Sequence, residues 1–268
     1  MPVLDSRKNL SFGRQMALVL LLGTAMSLAA CQNKGAGLDS DPMSTGSTAK
    51  PGEPSFKRTE QLAKAFHDNP ADTEAGLAFA NGLGQLGQND TQIDVLHQVA
   101  NQNPKNAAIQ AQVGKKLLAA GEAQLAAEML QRAVALNPQD WQSMSALGTA
   151  LDQQRRHAEA RDQYQAALAL KPGEVSILNN MGMSFALQGK LPDAEKILRQ
   201  AMASPGAEAM PRVRQNLALV VGLQGRFDES KQIASQDLPP DQVQANLDFL
   251  QKMLAKPNTW AQLQNNNG

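Results

Sequence analysis

The chain has 268 residues, with 25 lysines and arginines balanced by 25 aspartates and glutamates, and a single cysteine. This neutral balance lacks the basic face or tail that nucleic-acid binding requires, so we expect no nucleic-acid partner. One cysteine excludes both an intrachain disulfide framework and a zinc site built from several thiolates.

The amino terminus has the pattern of an export signal. Three basic residues, Arg7, Lys8 and Arg14, precede an apolar run over residues 16–30. The run is shorter than the roughly 20 residues that a membrane-spanning helix needs. The sequence therefore predicts a signal peptide over residues 1–30.

The segment from Leu28 to Cys31 (LAAC) resembles the lipobox of bacterial lipoproteins. The resemblance implies cleavage before Cys31, lipidation of its sulfur and a lipid-anchored mature protein. Gln32 follows where enterobacterial lipoproteins of the inner membrane carry an aspartate, which implies the inner leaflet of the outer membrane, facing the periplasm. The alternative is an ordinary signal peptide whose cysteine lies near the cleavage point by coincidence.

Residues 32–54 are rich in Gly, Ser, Thr, Pro and Lys and contain almost no large apolar side chain. Such a segment buries too little surface to fold, and a flexible chain of this length spans roughly 25 to 30 Å. The sequence therefore predicts four parts. They are the signal peptide over 1–30, lipidated Cys31 and a disordered tether over 31–54, a repeat array over 55–238, and a capping helix with a tail over 239–268.

A regular spacing of prolines organises the middle of the chain. Pro70, Pro104, Pro138 and Pro172 lie 34 residues apart, and each follows an amphipathic stretch. A period of this length is typical of helical repeats. With the closing proline at position 32, three units resemble the tetratricopeptide (TPR) pattern. The residues that carry it include Gly114, Ala126, Leu147, Gly148, Ala160, Tyr164, Ala167, Pro172, Gly182 and Ala194.

The TPR resemblance implies an all-α, right-handed superhelical solenoid. Small residues at positions 8, 20 and 27 let two antiparallel helices approach, and we expect bulky residues at positions 7, 11 and 24 to fill the spaces between units. We expect about five helix-turn-helix units, with a leading helix over 55–68 whose Leu62, Ala65 and Phe66 face inward. A final helix, opened by Pro239-Pro240-Asp241, should cap the array through Val243, Leu247, Leu250 and Leu254.

The sequence lacks the patterns that catalysis requires. Residues 82–87 contain a formal G-x-G-x-x-G, but no strand precedes it, so we expect a helix end and a turn there. His67, His97 and His157 lie on different units without a second ligand at metal spacing, and each is expected to be solvated or in a turn. We therefore predict no catalytic residue, no metal, no cofactor and no enzymatic activity.

The remaining candidate function is protein binding. In TPR proteins the first helix of each unit lines a groove, and an asparagine at position 6 often binds the backbone of an extended peptide; Asn180 and Asn216 occupy that position. They could equally cap or remain solvated. Lys115 and Arg212, with Arg214, are the basic residues nearby. Met183, with Leu187, Leu219 and Leu223, favours an apolar ligand, unless these side chains are core.

The segments 212–225, 237–240 and 244–246 resemble the TadD lipoproteins of Flp (tight adherence) pilus assembly. The resemblance implies a non-enzymatic outer-membrane scaffold that helps to build the pilus secretion apparatus. It also implies a partner such as the secretin, whose assembly or localisation the protein would assist. The alternative is a generic TPR adaptor of the envelope, for example one that recruits peptidoglycan enzymes.

Overall fold

The computed structural model describes residues 56–255, which form α-helices and one short 3-10 helix and contain no strand. The helices are α1 (Phe56–Asp68), α2 (Thr73–Gln85), α3 (Asn89–Gln102), α4 (Ala107–Ala119), α5 (Ala123–Leu136), α6 (Trp141–Gln153), α7 (His157–Leu170), α8 (Val175–Leu187), α9 (Leu191–Ala203), α10 (Pro211–Leu223), α11 (Phe227–Ala234) and α12 (Pro240–Ala255). The predicted all-helical repeat fold is thus confirmed. The predictions for the signal peptide, Cys31, the tether and the residues after 255 lie outside the described residues.

Five helical hairpins make up the array: α2 with α3, α4 with α5, α6 with α7, α8 with α9, and α10 with α11. We call them units 1 to 5, with position 1 at Thr73, Ala107, Trp141, Val175 and Pro211. Within each unit the two helices pack together, and each second helix packs on the first helix of the next unit. At the two ends, α1 packs on α2, and α12 packs on α10 and α11.

Each of the first four units begins with the same local chemistry. Pro70, Pro104, Pro138 and Pro172 all lie in the turn before a first helix. Two residues later comes a side chain that caps the helix. The caps are Asp72, Asn106, Asp140 and Glu174. Because proline cannot continue a helix and the cap accepts a free backbone N–H, the 34-residue period fixes where each unit starts.

The turn inside each hairpin needs a left-handed residue at position 15. Four units supply glycine there, namely Gly87, Gly121, Gly189 and Gly225, with φ between 72° and 89°. Unit 3 has Arg155 instead, at φ 63°. The position is thus defined by backbone conformation, which favours glycine but does not demand it.

Replacing Gly121 by alanine should lower the free energy of unfolding by about 1 kcal/mol. No atom lies within 4 Å of a Cβ built at this residue, so the loss would come from the backbone conformation and not from a clash. Urea titration should show a lower midpoint with an unchanged slope. An unchanged midpoint would contradict the assignment of strain to this turn.

The interior of each central hairpin depends on a close approach between positions 8 and 24. A Cβ at Gly114 would lie 2.6 Å from Leu130 Cγ, and one at Gly182 would lie 2.8 Å from Leu198 Cγ. The alanines at positions 20 and 27 are wholly buried; they are Ala126, Ala133, Ala160, Ala167, Ala194 and Ala201. The bulky side chain at position 24 therefore packs within its own unit, so the prediction that it fills the space between units was wrong.

Unit 5 departs from the repeat. Its first helix begins 36 residues after that of unit 4, because the chain makes a left-handed turn at Gly206 (φ 89°) and a 3-10 turn over Ala207–Ala209. Its second helix has 8 residues where the other second helices have 13 or 14. Ser230 replaces the usual alanine at position 20, and its hydroxyl donates to the Ala218 carbonyl oxygen at 2.7 Å.

The two end helices bury one face each. In α12, Val243, Leu247 and Leu250 are buried, and Leu254 is half-buried, in agreement with the predicted cap. In α1, Phe66 is buried and Leu62 is half-buried, but Ala65 is exposed, so the prediction for Ala65 was wrong. The half-buried small residue of this helix is Ala63, because only one narrow face of α1 contacts the array.

An ion network joins units 4 and 5 around Glu195. Arg226 donates to both oxygens of Glu195 at 2.7 and 2.8 Å, and Gln224 donates at 2.8 Å. Arg199 bridges Glu195 and Glu229. The hydrogen bonds from Arg226, followed by those from Gln224 and Arg199, lower the pKa of Glu195 to about 2.

This shift predicts a loss of stability in acid. A carboxylate with a depressed pKa contributes fully above its ordinary value near 4.5 and loses that contribution as the pH falls toward 2. Because Arg199 and Arg226 are 47% and 40% exposed, salt screens the network, and we expect Glu195 to contribute about 1 to 2 kcal/mol. The free energy of unfolding of wild type and Glu195→Gln should therefore differ at pH 6 and converge near pH 2. Glu60→Gln, exposed on α1, is the control; parallel curves for wild type and Glu195→Gln would refute the assignment.

Candidate partner-binding face

The first helices of the units form one continuous face. Successive first helices α4, α6, α8 and α10 touch one another, whereas successive second helices make no comparable contact. We call the surface formed by positions 2, 5, 6, 9 and 13 of the first helices the inner face. Between α2 and α4 it opens into a cleft of about 520 Å³, whose lining includes Glu74, Asn81, Gln112 and Lys116.

A chain of polar side chains crosses the inner face at positions 5 and 6. Asn216 Nδ2 donates to Asn179 Oδ1 at 2.7 Å, and this short bond joins α10 to α8. Asn179 in turn meets Asn180 at 3.5 Å, and Asn180 Nδ2 lies 3.4 Å from Ser145 Oγ on α6. The two predicted asparagines are therefore neither helix caps nor separately solvated. Asn180 is half-buried with only long contacts, so its amide can still bind a ligand.

The predicted basic residues do not gather at one place. Lys115 is exposed on unit 2, and Arg212 is exposed on unit 5, three units away. Arg214 is unavailable, because its Nε and Nη2 atoms both donate at 2.6 Å to the carboxylate of Asp237. The inner face therefore has no clamp of several cations for one carboxylate.

Lys115 also acts within the array. Burial alone would raise the pKa of Asp140, but hydrogen bonds from Ser143 and the nearby charge of Lys115 lower it. Asp140 caps α6 by accepting from Gln142 N and Ser143 N at 3.0 and 3.1 Å. Lys115 thus contributes to the cap of the neighbouring unit, besides being open to solvent.

The predicted apolar residues of the inner face lie on units 4 and 5. Met183 packs against the buried cluster that α8, α9 and α10 form and remains half-buried. Leu219 and Leu223 are half-buried, and Leu187 is 38% exposed. These side chains are therefore partly core and partly surface, so the two predicted alternatives, core and ligand contact, both apply in part.

The structure reveals a buried polar cluster at the junction of units 3 and 4 that the repeat pattern does not predict. Asp152 Oδ2 accepts from the Tyr164 hydroxyl at 2.9 Å, and Asp152 Oδ1 accepts from Ser184 Oγ at 2.7 Å and contacts His157 Nδ1 at 2.8 Å. Burial raises the pKa of Tyr164 well above its usual value, and the charge of Asp152 adds to the effect. Of the two expectations for His157, solvation is not met, because Asp152 holds the side chain against the array; the residue begins α7 directly after the hairpin turn. One sequence feature could have indicated this cluster: Tyr164, the single tyrosine of the chain, occurs in the same unit as Asp152, an acid at position 12.

Within residues 56–255 no group of three or more His, Cys, Asp or Glu side chains could hold a metal ion. The G-x-G-x-x-G segment spans the end of α2 and the following turn, where Gly87 has φ 72°. No helix in the described range is both long enough and apolar enough to cross a bilayer.

Comparison with known proteins agrees with the repeat geometry. Residues 114–175 and 147–209 match the family described as Tetratricopeptide repeat. No curated protein matches the chain.

Two solved structures share the fold. The thermophilic TPR protein TTC0263 of Thermus thermophilus is 22% identical, with a TM-score of 0.54 over 66% of this chain and 98% of that one. The Pseudomonas aeruginosa pilF structure is 16% identical, with a TM-score of 0.51 over 77% of this chain and 90% of that one. At these identities the two structures show a common fold and nothing further. Together with the matched repeats, they show that residues 114–209 resemble tetratricopeptide repeats and that the chain shares the helical repeat fold of these structures.

Proposed function

We propose that the protein is a non-enzymatic scaffold that binds protein partners through its inner face while Flp pili are assembled. TPR domains in general bind proteins or peptides. The observation that carries the proposal is the inner face itself, where Asn180, Gln215 and Leu187 stay accessible although the opposite sides of their helices are buried. Side-chain amides can hydrogen-bond a peptide backbone, and covering exposed apolar side chains lowers the free energy by removing their surface from water.

The pilus assignment is supported by the segments that resemble TadD lipoproteins. In the structure these segments form α10, the connection before α12 and part of α12. The ion pair between Arg214 and Asp237 ties α10 to that connection. The resembling residues therefore belong to one structural unit at the carboxyl end of the array.

Deletion of the gene tests this role. We expect the deletion strain to lose surface pili, and normal piliation would refute the pilus role. Envelope pull-down with the full chain separates the two candidate functions. Recovery of secretin subunits supports pilus assembly, whereas recovery of cell-wall hydrolases supports the alternative adaptor that recruits peptidoglycan enzymes.

We further propose that Cys31 carries the lipid and that the protein resides in the outer membrane, on the periplasmic side. Cys31→Ser should move the protein from the outer-membrane fraction to the soluble periplasm. Gln32→Asp should move it to the inner membrane if the sorting rule of enterobacteria applies in the host. Retention of the Cys31→Ser protein in membranes would refute the lipid anchor.

A further inference from the structure

The chemistry of the inner face changes along the array. Position 9 is polar or charged in the first three units and apolar in the last two; the residues are Asn81, Lys115, Thr149, Met183 and Leu219. Position 13 carries a large apolar side chain only in the last two units, as Leu187 and Leu223; the first three units have Gln85, Ala119 and Gln153 there. Residues at positions 9 and 13 lie one turn apart on the same side of a helix, so units 4 and 5 present one apolar strip.

Backbone-binding groups lie beside this strip. Asn180, Gln215 and Asn216 occupy positions 5 and 6 of the same two units and are half-buried. Gln215 makes no side-chain hydrogen bond to the described residues, and Asn180 makes only contacts of 3.4 and 3.5 Å. An amide donates and accepts at once, so these side chains can satisfy a peptide backbone while the strip covers apolar side chains.

The inner positions of units 4 and 5 carry charge of one sign. Arg212, at position 2 of unit 5, is the only charged residue at the inner positions of units 4 and 5. It is exposed and forms no ion pair within the described residues, whereas neighbouring Arg214 is neutralised by Asp237. Arg212 precedes Leu219 by seven residues, which is about 10 Å along the helix axis. A carboxylate is thus favoured at one edge of the strip and nowhere else on it.

We propose that units 4 and 5 bind a segment of a partner protein that has apolar side chains and a carboxylate at the edge facing Arg212. The proposal rests on the proposed protein-binding function and adds the chemistry of the bound segment. Units 1 to 3 contribute little to binding this segment, because position 9 is polar or charged in each of them and position 13 carries no large apolar side chain.

A seven-residue fluorescein-labelled peptide tests the proposal, with leucine alternating with serine and a free carboxyl end. The full chain is reconstituted in nanodiscs, and binding is followed by fluorescence anisotropy. We expect this peptide to bind at least tenfold more tightly than a peptide with every leucine replaced by serine. Amidation of its carboxyl end should weaken binding by threefold or more. Equal binding of the leucine and serine peptides, or no binding of either, would overturn the proposal.

Variants of the chain locate the site. Leu187→Asp should lower the affinity for the leucine peptide at least tenfold, and Leu219→Ser should lower this affinity by a smaller factor. Arg212→Gln should remove the difference between the free and amidated peptides. Leu136→Asp, at a leucine that is 43% exposed on α5 and outside the inner face, is the matched control and should leave binding unchanged; a loss equal to that of Leu187→Asp would overturn the placement on units 4 and 5.

The outcomes separate this inference from the proposed function. If envelope pull-down recovers a partner but the leucine peptide does not bind, the proposed chemistry of the segment is wrong and protein binding stands. If the peptide binds as expected but deletion leaves pili intact, the chemistry stands and the pilus role falls. If the molecular mass in solution doubled as the protein concentration rose, and Leu187→Asp abolished this doubling, a second copy of the chain would cover the strip. That result would overturn the choice of partner.

Discussion

Asp152→Ala is expected to lower the free energy of unfolding by about 3 kcal/mol. The carboxylate accepts from Tyr164 and Ser184 and contacts His157, and all but His157 are almost wholly buried. Removing the common acceptor leaves the Ser184 hydroxyl without its partner and leaves Tyr164 with only a 3.3 Å contact to Thr149. An unmade buried hydrogen bond costs more than a made one contributes, so the loss exceeds that of an ordinary surface acid.

Thermal and urea unfolding of Asp152→Ala, Asp152→Asn and Asp162→Ala measure this effect. Asp162 is exposed on α7, so its replacement should change stability by less than about 0.5 kcal/mol. The loss of unfolding free energy in Asp152→Asn should lie between those of Asp152→Ala and Asp162→Ala. The asparagine amide keeps one acceptor oxygen, but its NH₂ group faces side chains that are themselves donors. If Asp152→Ala were as stable as Asp162→Ala, the buried cluster would not hold units 3 and 4 together.

The sequence predicts periodic features of this fold well and single features poorly. The prolines, caps and small residues recur every 34 residues, so the pattern of one unit predicts the structure of the others. The Asp152 cluster occurs once, and its members come from three helices, so the repeat pattern contains no signal for it. Arg214 likewise reads as a free cation in the sequence, although Asp237 lies 23 residues away and neutralises it.

The candidate site shows the same division. Position 6 identified Asn180 and Asn216 as inner-face residues. It did not identify Asn179, whose link to Asn216 depends on the spacing between two first helices 36 residues apart. The exposure of the apolar strip also depends on how closely units 4 and 5 pack, which the residue types alone do not state. The repeat pattern thus predicts which residues lie on the inner face. Tertiary packing determines which of these side chains can contact a ligand.

Gly148→Ala is expected to lower the free energy of unfolding by about 2 to 3 kcal/mol. The added Cβ would lie 2.5 Å from Tyr164 Cε1 and 2.8 Å from its Cζ. The ring cannot move away easily, because Tyr164 is 1% exposed and its hydroxyl is bonded to Asp152. In an open helix the same substitution would stabilise by up to about 1 kcal/mol through helix propensity, so a net loss requires the clash to outweigh that gain.

Two further variants isolate the clash in chemical denaturation. Gly84→Ala places its Cβ against the mobile end of Gln92, which can swing away, and should be neutral or slightly stabilising. Gly148→Ala should cost at least 1 kcal/mol less when Tyr164 is already leucine, because unit 1 carries Ala80 and Leu96 at the same two positions, both wholly buried. Additive effects of Gly148→Ala and Tyr164→Leu would mean that positions 8 and 24 do not meet inside the hairpin. The contact between positions 8 and 24 determines how closely the two helices of a hairpin pack. Additive effects would therefore also contradict the packing that aligns the first helices along the inner face.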